Sequence, residues 1–100
     1  MLQQETGVKV YGANWCGHTT MARRHLDELG VPYQYIDVDD NPEASQWVKD
    51  HNHGMEVKPT IDVDGTVMTN PSNSELDSAL MQAGLLNQGS GDQQQGYAAS

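Results

Sequence analysis

The chain of 100 residues holds a single cysteine, Cys16, in the run Trp15-Cys16-Gly17-His18-Thr19. A lone thiol cannot close an intramolecular disulfide or build a cysteine-rich zinc site, so it is either an inert filler of the interior or a reagent. Its surroundings favour the reagent. A β-prone run ends at Gly12 and a helical pattern begins just after Cys16, which places the sulfur at a helix N-terminus. There, unpaired backbone N–H groups and the positive end of the helix dipole stabilise thiolate over thiol, and thiolate is the nucleophilic form. Thr19, three residues on, can lay its hydroxyl beside that sulfur on the first helical turn and donate a hydrogen bond. His18 adds a titratable ring next to the thiol. As imidazolium it would favour the thiolate further, and otherwise it is a solvent-exposed side chain at a helix start.

The elements that must hold this thiol are legible in a hydrophobic period that switches between two and about 3.6. Val8, Val10 and Tyr11 mark a first strand ending at Gly12. Met21, Ala22, His25, Leu26 and Leu29 fall on one face of a helix that Gly30 and Pro32 close. Tyr33 to Val38 is β-branched and aromatic, a second strand, and Asp40-Asn41-Pro42 then opens a helix carrying Ala44, Trp47, Val48 and His51. Ile61 and Val63 alternate with acidic residues, and Asp64-Gly65 joins them to Val67 and Met68 as a hairpin. Ser72-x-x-Glu75 is a capping box ahead of Leu76, Ala79, Leu80 and Ala83, an amphipathic helix. The order βαβαββα predicts an α/β fold: a parallel pair with a right-handed crossover, then antiparallel strands, in a mixed four-stranded sheet flanked by helices.

Composition narrows the function. The length predicts one domain, with residues 1–86 as the folding unit and the Gly- and Gln-rich stretch 87–100 as a flexible tail. With no Phe, the bulky anchors of the small core are expected to be Trp15, Trp47 and the tyrosines. Fourteen acidic against five basic residues give a net charge of −9, which repels phosphate backbones and anionic lipid, so neither a nucleic-acid nor a membrane partner is expected. No apolar run approaches the ~20 residues needed to span a bilayer, and Met1-Leu2-Gln3-Gln4-Glu5 does not look like a secretory signal. A cytoplasmic monomer is the expectation. Asp50-His51-Asn52-His53 has metal-like His-x-His spacing, but groups from one helix end rarely converge on an ion, and no metal site is assigned. Asp37, Asp39, Asp40, Asp62 and Asp64 read as solvated strand faces and ends with no catalytic role.

Residues 8–19, Val-Lys-Val-Tyr-Gly-Ala-Asn-Trp-Cys-Gly-His-Thr, resemble the strand and active-site loop of the glutaredoxin family, which has the thioredoxin-like fold. Val57-Lys58-Pro59-Thr60 and Asp64-Gly65 resemble that family's cis-proline loop and closing hairpin. Trp-Cys-Gly at 15–17, Ile-Asp-Val-Asp at 36–39, Trp-Val at 47–48 and Asn-Pro-Ser at 70–72 with Glu75 are most similar to the mycoredoxin-like branch. The resemblance spans about residues 7–86.

That resemblance implies that Trp15, Gly17, Val57, Lys58 and Pro59 line a substrate site around Cys16. Pro59 would be cis and lie against the sulfur, and the main chain of Lys58 would hold the substrate's disulfide-linked cysteine. Lys58 would either add positive charge near the thiolate or be an exposed loop lysine. Asn70, Pro71 and Ser72 precede the last helix, whose N-terminus could bind a carboxylate of a small thiol or simply be capped by them. The family's Gly-Gly pair before this helix is missing. Thr19 stands where dithiol members carry a second cysteine, so the resemblance implies a monothiol route. Cys16 would reduce S-thiolated proteins, drawing on a low-molecular-weight thiol of the glutathione, mycothiol or bacillithiol type and its NADPH-dependent disulfide reductase, with no tightly bound cofactor. Two alternatives belong to other classes: an iron–sulfur cluster carrier of the monothiol glutaredoxin type, and a redox-inactive thioredoxin-fold binding module.

Overall fold

A computed structural model describes residues 7–86. The predicted tail and the first six residues lie outside the described residues. Seven elements follow in order: β1 (Val8–Gly12), α1 (Gly17–Leu29), β2 (Gln34–Asp37), α2 (Pro42–His51), β3 (Thr60–Val63), β4 (Thr66–Thr69) and α3 (Asn73–Gln82). This is the predicted βαβαββα order. The sheet runs β2-β1-β3-β4, with β1 parallel to β2 and antiparallel to β3, and β3 antiparallel to β4.

Alternation along the strands splits the interior into two layers. Val8 and Val10 of β1 point, with Ile61 and Val63, toward Ala22 and Leu26 of α1 and Leu76 and Leu80 of α3. Tyr11 points the other way, into a smaller cluster with Val38, Ala44 and Val48, where Trp47 stacks on its ring at 4.3 Å. Helices α1 and α3 therefore cover one face of the sheet and α2 the other.

The helix ends show why the chain turns where it does. Asn41 caps α2 by accepting from Ala44 N–H at 3.1 Å, with Pro42 in the first turn. Ser72 and Glu75 form the predicted capping box, Ser72 Oγ accepting from Glu75 N–H at 3.1 Å and Glu75 Oε1 from Ser72 N–H at 2.8 Å. Gly30 ends α1 at φ 73°, a left-handed conformation that lets its N–H reach back to the carbonyls of the last turn.

Two core assignments need correction. Trp15 is not a core anchor: 70% of it is exposed, because it sits in the loop after β1 rather than on a strand or helix face. Met21, expected on the buried face of α1, is 63% exposed. The inward stripe of α1 is Thr19, Ala22, Leu26 and Leu29, at spacings of three and four, and Met21 lies one position off it. Thr19, not Met21, belongs to the core stripe.

Candidate functional site

The C-terminal end of β1 releases the chain at Gly12, and the loop Ala13–Trp15 delivers Cys16 as the N-cap of the 13-residue α1. Cys16 has extended backbone angles, φ −86° and ψ 120°, and its side chain does not cap the helix. Its N–H bonds Ala13 O at 3.1 Å, closing the loop, and its carbonyl accepts from Thr20 N–H at 3.1 Å, opening the helix. The half-buried sulfur therefore faces the open amides of the first turn. Burial pushes the thiol upward. The backbone N–H of Thr19, the Thr19 hydroxyl, the backbone N–H of His18 and the charge of Lys58 outweigh it, and the net effect holds Cys16 below the usual thiol value.

Thr19 is wholly buried, and its hydroxyl serves two groups. It donates toward the sulfur and accepts from Ala13 N–H at 3.4 Å, so one side chain ties the loop to the first helical turn. Space for it exists only because residue 12 is glycine. A Cβ there would come within 2.5 Å of both Thr19 Cγ2 and Oγ1. His18 contributes through its backbone, while its side chain is exposed. Gly17 is exposed, and a Cβ there would meet nothing.

The second wall is the segment before β3. The Lys58–Pro59 peptide bond is cis, and the Cys16 thiol makes a long contact, 3.9 Å, to Lys58 O. Pro59 is buried, and its carbonyl accepts from Asn70 N–H at 2.8 Å, which ties the loop after β4 to the same place. Val57 is half-buried, its carbonyl taking the Thr60 hydroxyl at 2.9 Å. Lys58 is not an exposed loop lysine. Its Nζ pairs with Glu56 Oε1 at 2.7 Å and lies over the Trp15 ring, 5.2 Å from the centroid, with only 13% of its side chain accessible. Glu56 also accepts from the Ser45 hydroxyl, and Lys58 and Ser45 together hold its carboxyl below the usual range.

Trp15, Cys16, Thr19, Lys58 and Pro59 are thus brought together. Asn70 lies next to this cluster through the Pro59 link, whereas Ser72 has both its N–H and its hydroxyl engaged in the capping box. Three residues near the loop were given no part in the site by the sequence. Asp39 Oδ2 accepts from Trp15 Nε1 at 2.7 Å, Tyr35 donates its hydroxyl to Asn14 Oδ1 at 2.9 Å, and Glu56 holds Lys58. Asp39 is therefore not merely a solvated strand end but has a specific partner. The signal in the sequence is the predicted parallel pair of first strands, and the observed register of Gly12 with Asp37 sets the turn after β2 beside the loop after β1. His51 hydrogen-bonds Trp47 O and packs on the Trp47 ring, and no group of three or more metal-ligating side chains occurs among the described residues. No helix among the described residues is long and apolar enough to cross a membrane.

Comparison with known proteins agrees with this geometry. The family model for glutaredoxins matches residues 8–68. Mycoredoxin 1 of Corynebacterium glutamicum is 39% identical over 72 residues, which cover 71% of this chain and 89% of that protein. A Mycobacterium tuberculosis protein named as a candidate glutaredoxin is 30% identical over 73 residues, 72% of this chain and 87% of its own. Among solved structures, a thioredoxin-like protein superposes with a TM-score of 0.68 at 21% identity, covering 77% of this chain and 97% of that one. The holo form of glutaredoxin C1 from Populus tremula x tremuloides superposes at 0.62 and 21%, covering 78% and 86%. These last two likenesses establish the thioredoxin-like fold.

Proposed function

The chain belongs to the glutaredoxin family, and from that premise we propose that it is a monothiol thiol–disulfide oxidoreductase whose nucleophile is Cys16. The family supports the oxidoreductase activity. The observation that carries the monothiol route is the site itself: a half-buried thiol held toward thiolate, with a fully buried Thr19 hydroxyl, not a second sulfur, on the first turn beneath it.

The reaction proceeds by two exchanges. In the first, Cys16 thiolate attacks the small-thiol sulfur of a protein mixed disulfide. A Cys16–small-thiol disulfide forms, the bond to the protein sulfur breaks, and the protein leaves as a thiolate that takes a proton from water. In the second, another small thiolate attacks the small-thiol sulfur now on Cys16. The symmetrical small disulfide departs, Cys16 returns as thiolate, and an NADPH-dependent reductase supplies the two electrons that recycle the small disulfide. The amides of His18 and Thr19 and the Thr19 hydroxyl stabilise Cys16 both as attacking and as leaving thiolate. The main chain of Lys58, set beside the sulfur by cis-Pro59, aligns the substrate's disulfide. Trp15 and Lys58, with Val57 and Asn70–Pro71 at the margins, line the site for the rest of the substrate. Glutathione, mycothiol and bacillithiol are the candidate cosubstrates.

The test is reduction of mixed disulfides carrying each of these thiols, with the matching reductase, by wild type and Cys16→Ser. Turnover that requires Cys16 with at least one thiol supports the reading. No Cys16-dependent turnover with any of them overturns it, and a visible charge-transfer band after anaerobic iron and sulfide reconstitution, lost in Cys16→Ser, points to the cluster carrier instead.

A further inference from the structure

Trp15 is 70% exposed, yet it is held from two sides. Asp39 Oδ2 accepts its indole N–H at 2.7 Å, and the Lys58 ammonium lies over its ring. Each of these partners is itself anchored. Val38 N–H bonds Gly12 O at 2.9 Å, fixing the junction between the two loops, and Asp39 N–H bonds Asp37 Oδ1 at 2.9 Å. Lys58 is fixed by Glu56, and Glu56 by Ser45. An exposed tryptophan with such restraints has given up its side-chain freedom before any ligand arrives, so a ligand that packs on it need not supply that ordering. The indole adjoins the reactive sulfur in the chain, and Trp15 is the most exposed of the large hydrophobic residues among the described residues.

We infer that Asp39 is a positioning residue for the disulfide substrate: its hydrogen bond to Trp15 Nε1 presets the indole as a wall beside Cys16, against which the atoms flanking the substrate's disulfide pack. The inference rests on the oxidoreductase reading above and adds to it a residue that touches no reacting atom. The hydrogen bond of the Asp39 side chain is to Trp15. The groups that favour the Cys16 thiolate are Thr19, His18 and Lys58, so removing Asp39 leaves the reactivity of the sulfur in place.

The experiment compares Asp39→Ala and Asp39→Asn in the full chain, using a mixed disulfide that the wild type turns over. Asp39→Ala is expected to raise KM about five-fold, the scale of one partly exposed hydrogen bond, with kcat and the Cys16 alkylation rate near wild type. Asp39→Asn keeps an acceptor and restores most of the loss. In a Trp15→Phe background, which has no indole N–H, Asp39→Ala has no further effect. The Trp15 indole N–H resonance, identified by its loss in Trp15→Phe, exchanges faster with water in Asp39→Ala. A KM unchanged in Asp39→Ala, or an equal effect with and without the Trp15 indole, overturns the inference and leaves the oxidoreductase reading standing. Absence of any Cys16-dependent turnover in the wild type overturns both.

Discussion

Replacing Thr19 by valine keeps the shape of a fully buried side chain and deletes only its hydroxyl, so it isolates what that oxygen does. Two losses follow. The Cys16 thiolate loses a donor, and Ala13 N–H loses the acceptor it meets at 3.4 Å. A hydrogen bond to a charged group is worth about 1.5–3 kcal/mol. Cys16 is only half-buried, so water recovers part of this, and the lower end or less applies. At about 1.4 kcal/mol per factor of ten, the thiolate fraction at pH below the thiol's own value falls by about three- to ten-fold. The stranded amide adds about 1 kcal/mol or more of instability, equivalent to a Tm lower by about 4–8 °C in a domain of this size. The assay is the rate of iodoacetamide alkylation across pH, with thermal unfolding run on the same samples. Thr19→Ser, which keeps the hydroxyl, should alkylate close to wild type. Equal alkylation of Thr19→Val and wild type at acidic pH would refute the role given to the hydroxyl, whatever happens to stability.

Other perturbations follow from the same contacts. Lys58→Met should slow Cys16 alkylation by less than Thr19→Val, about two-fold, because the ammonium is shared with Glu56 and its effect is the smallest of those favouring the thiolate; a larger effect than Thr19→Val contradicts this ordering. Gly12→Ala drives a Cβ to 2.5 Å from Thr19 and should destabilise the fold by about 1–3 kcal/mol, measured by urea unfolding, with a smaller further loss when it is added to Thr19→Ala, where only the 3.0 Å contact to the residue 19 Cβ remains. Ser72→Ala removes the hydroxyl half of the capping box and should lower stability by about 1 kcal/mol. The sign of the pH dependence is also set. A thiol held lower in the folded than in the unfolded chain stabilises the fold fully above the unfolded value of about 8.5, and that stabilisation is lost as pH falls through the folded value. The stability of wild type relative to Cys16→Ser should therefore rise with pH through this window, and a flat or falling difference refutes thiolate stabilisation by the fold.

The element order and both capped helix starts were legible because they depend on local signals: alternation in Ile61–Val63, proline after Asn41, and the Ser72–Glu75 pair. The helix N-terminal position of Cys16 was legible for the same reason. Met21 and Trp15 were misread because hydrophobicity alone does not say which of two adjacent helix positions faces the sheet, or whether a loop aromatic folds inward. Thr19 was recognised as a neighbour of the sulfur, but its place in the buried stripe required knowing that Gly12 leaves room for it. The Asp39–Trp15 and Glu56–Lys58 contacts depend on loops meeting across the sheet, and only strand register and the path of the Lys58–Pro59 loop bring those side chains together. Most of the chemistry was in the local motif, and most of its support was in long-range contacts.

In the proposed mechanism Cys16 takes the small thiol off a protein and carries it alone. Intact-mass measurement after mixing the reduced protein with an S-thiolated substrate tests this directly. One added small-thiol mass is expected on Cys16, appearing as the substrate loses it and disappearing when excess small thiol is added. Substrate reduction with Cys16 left unmodified, or no transfer to Cys16 from a disulfide of any of the three thiols, would contradict it.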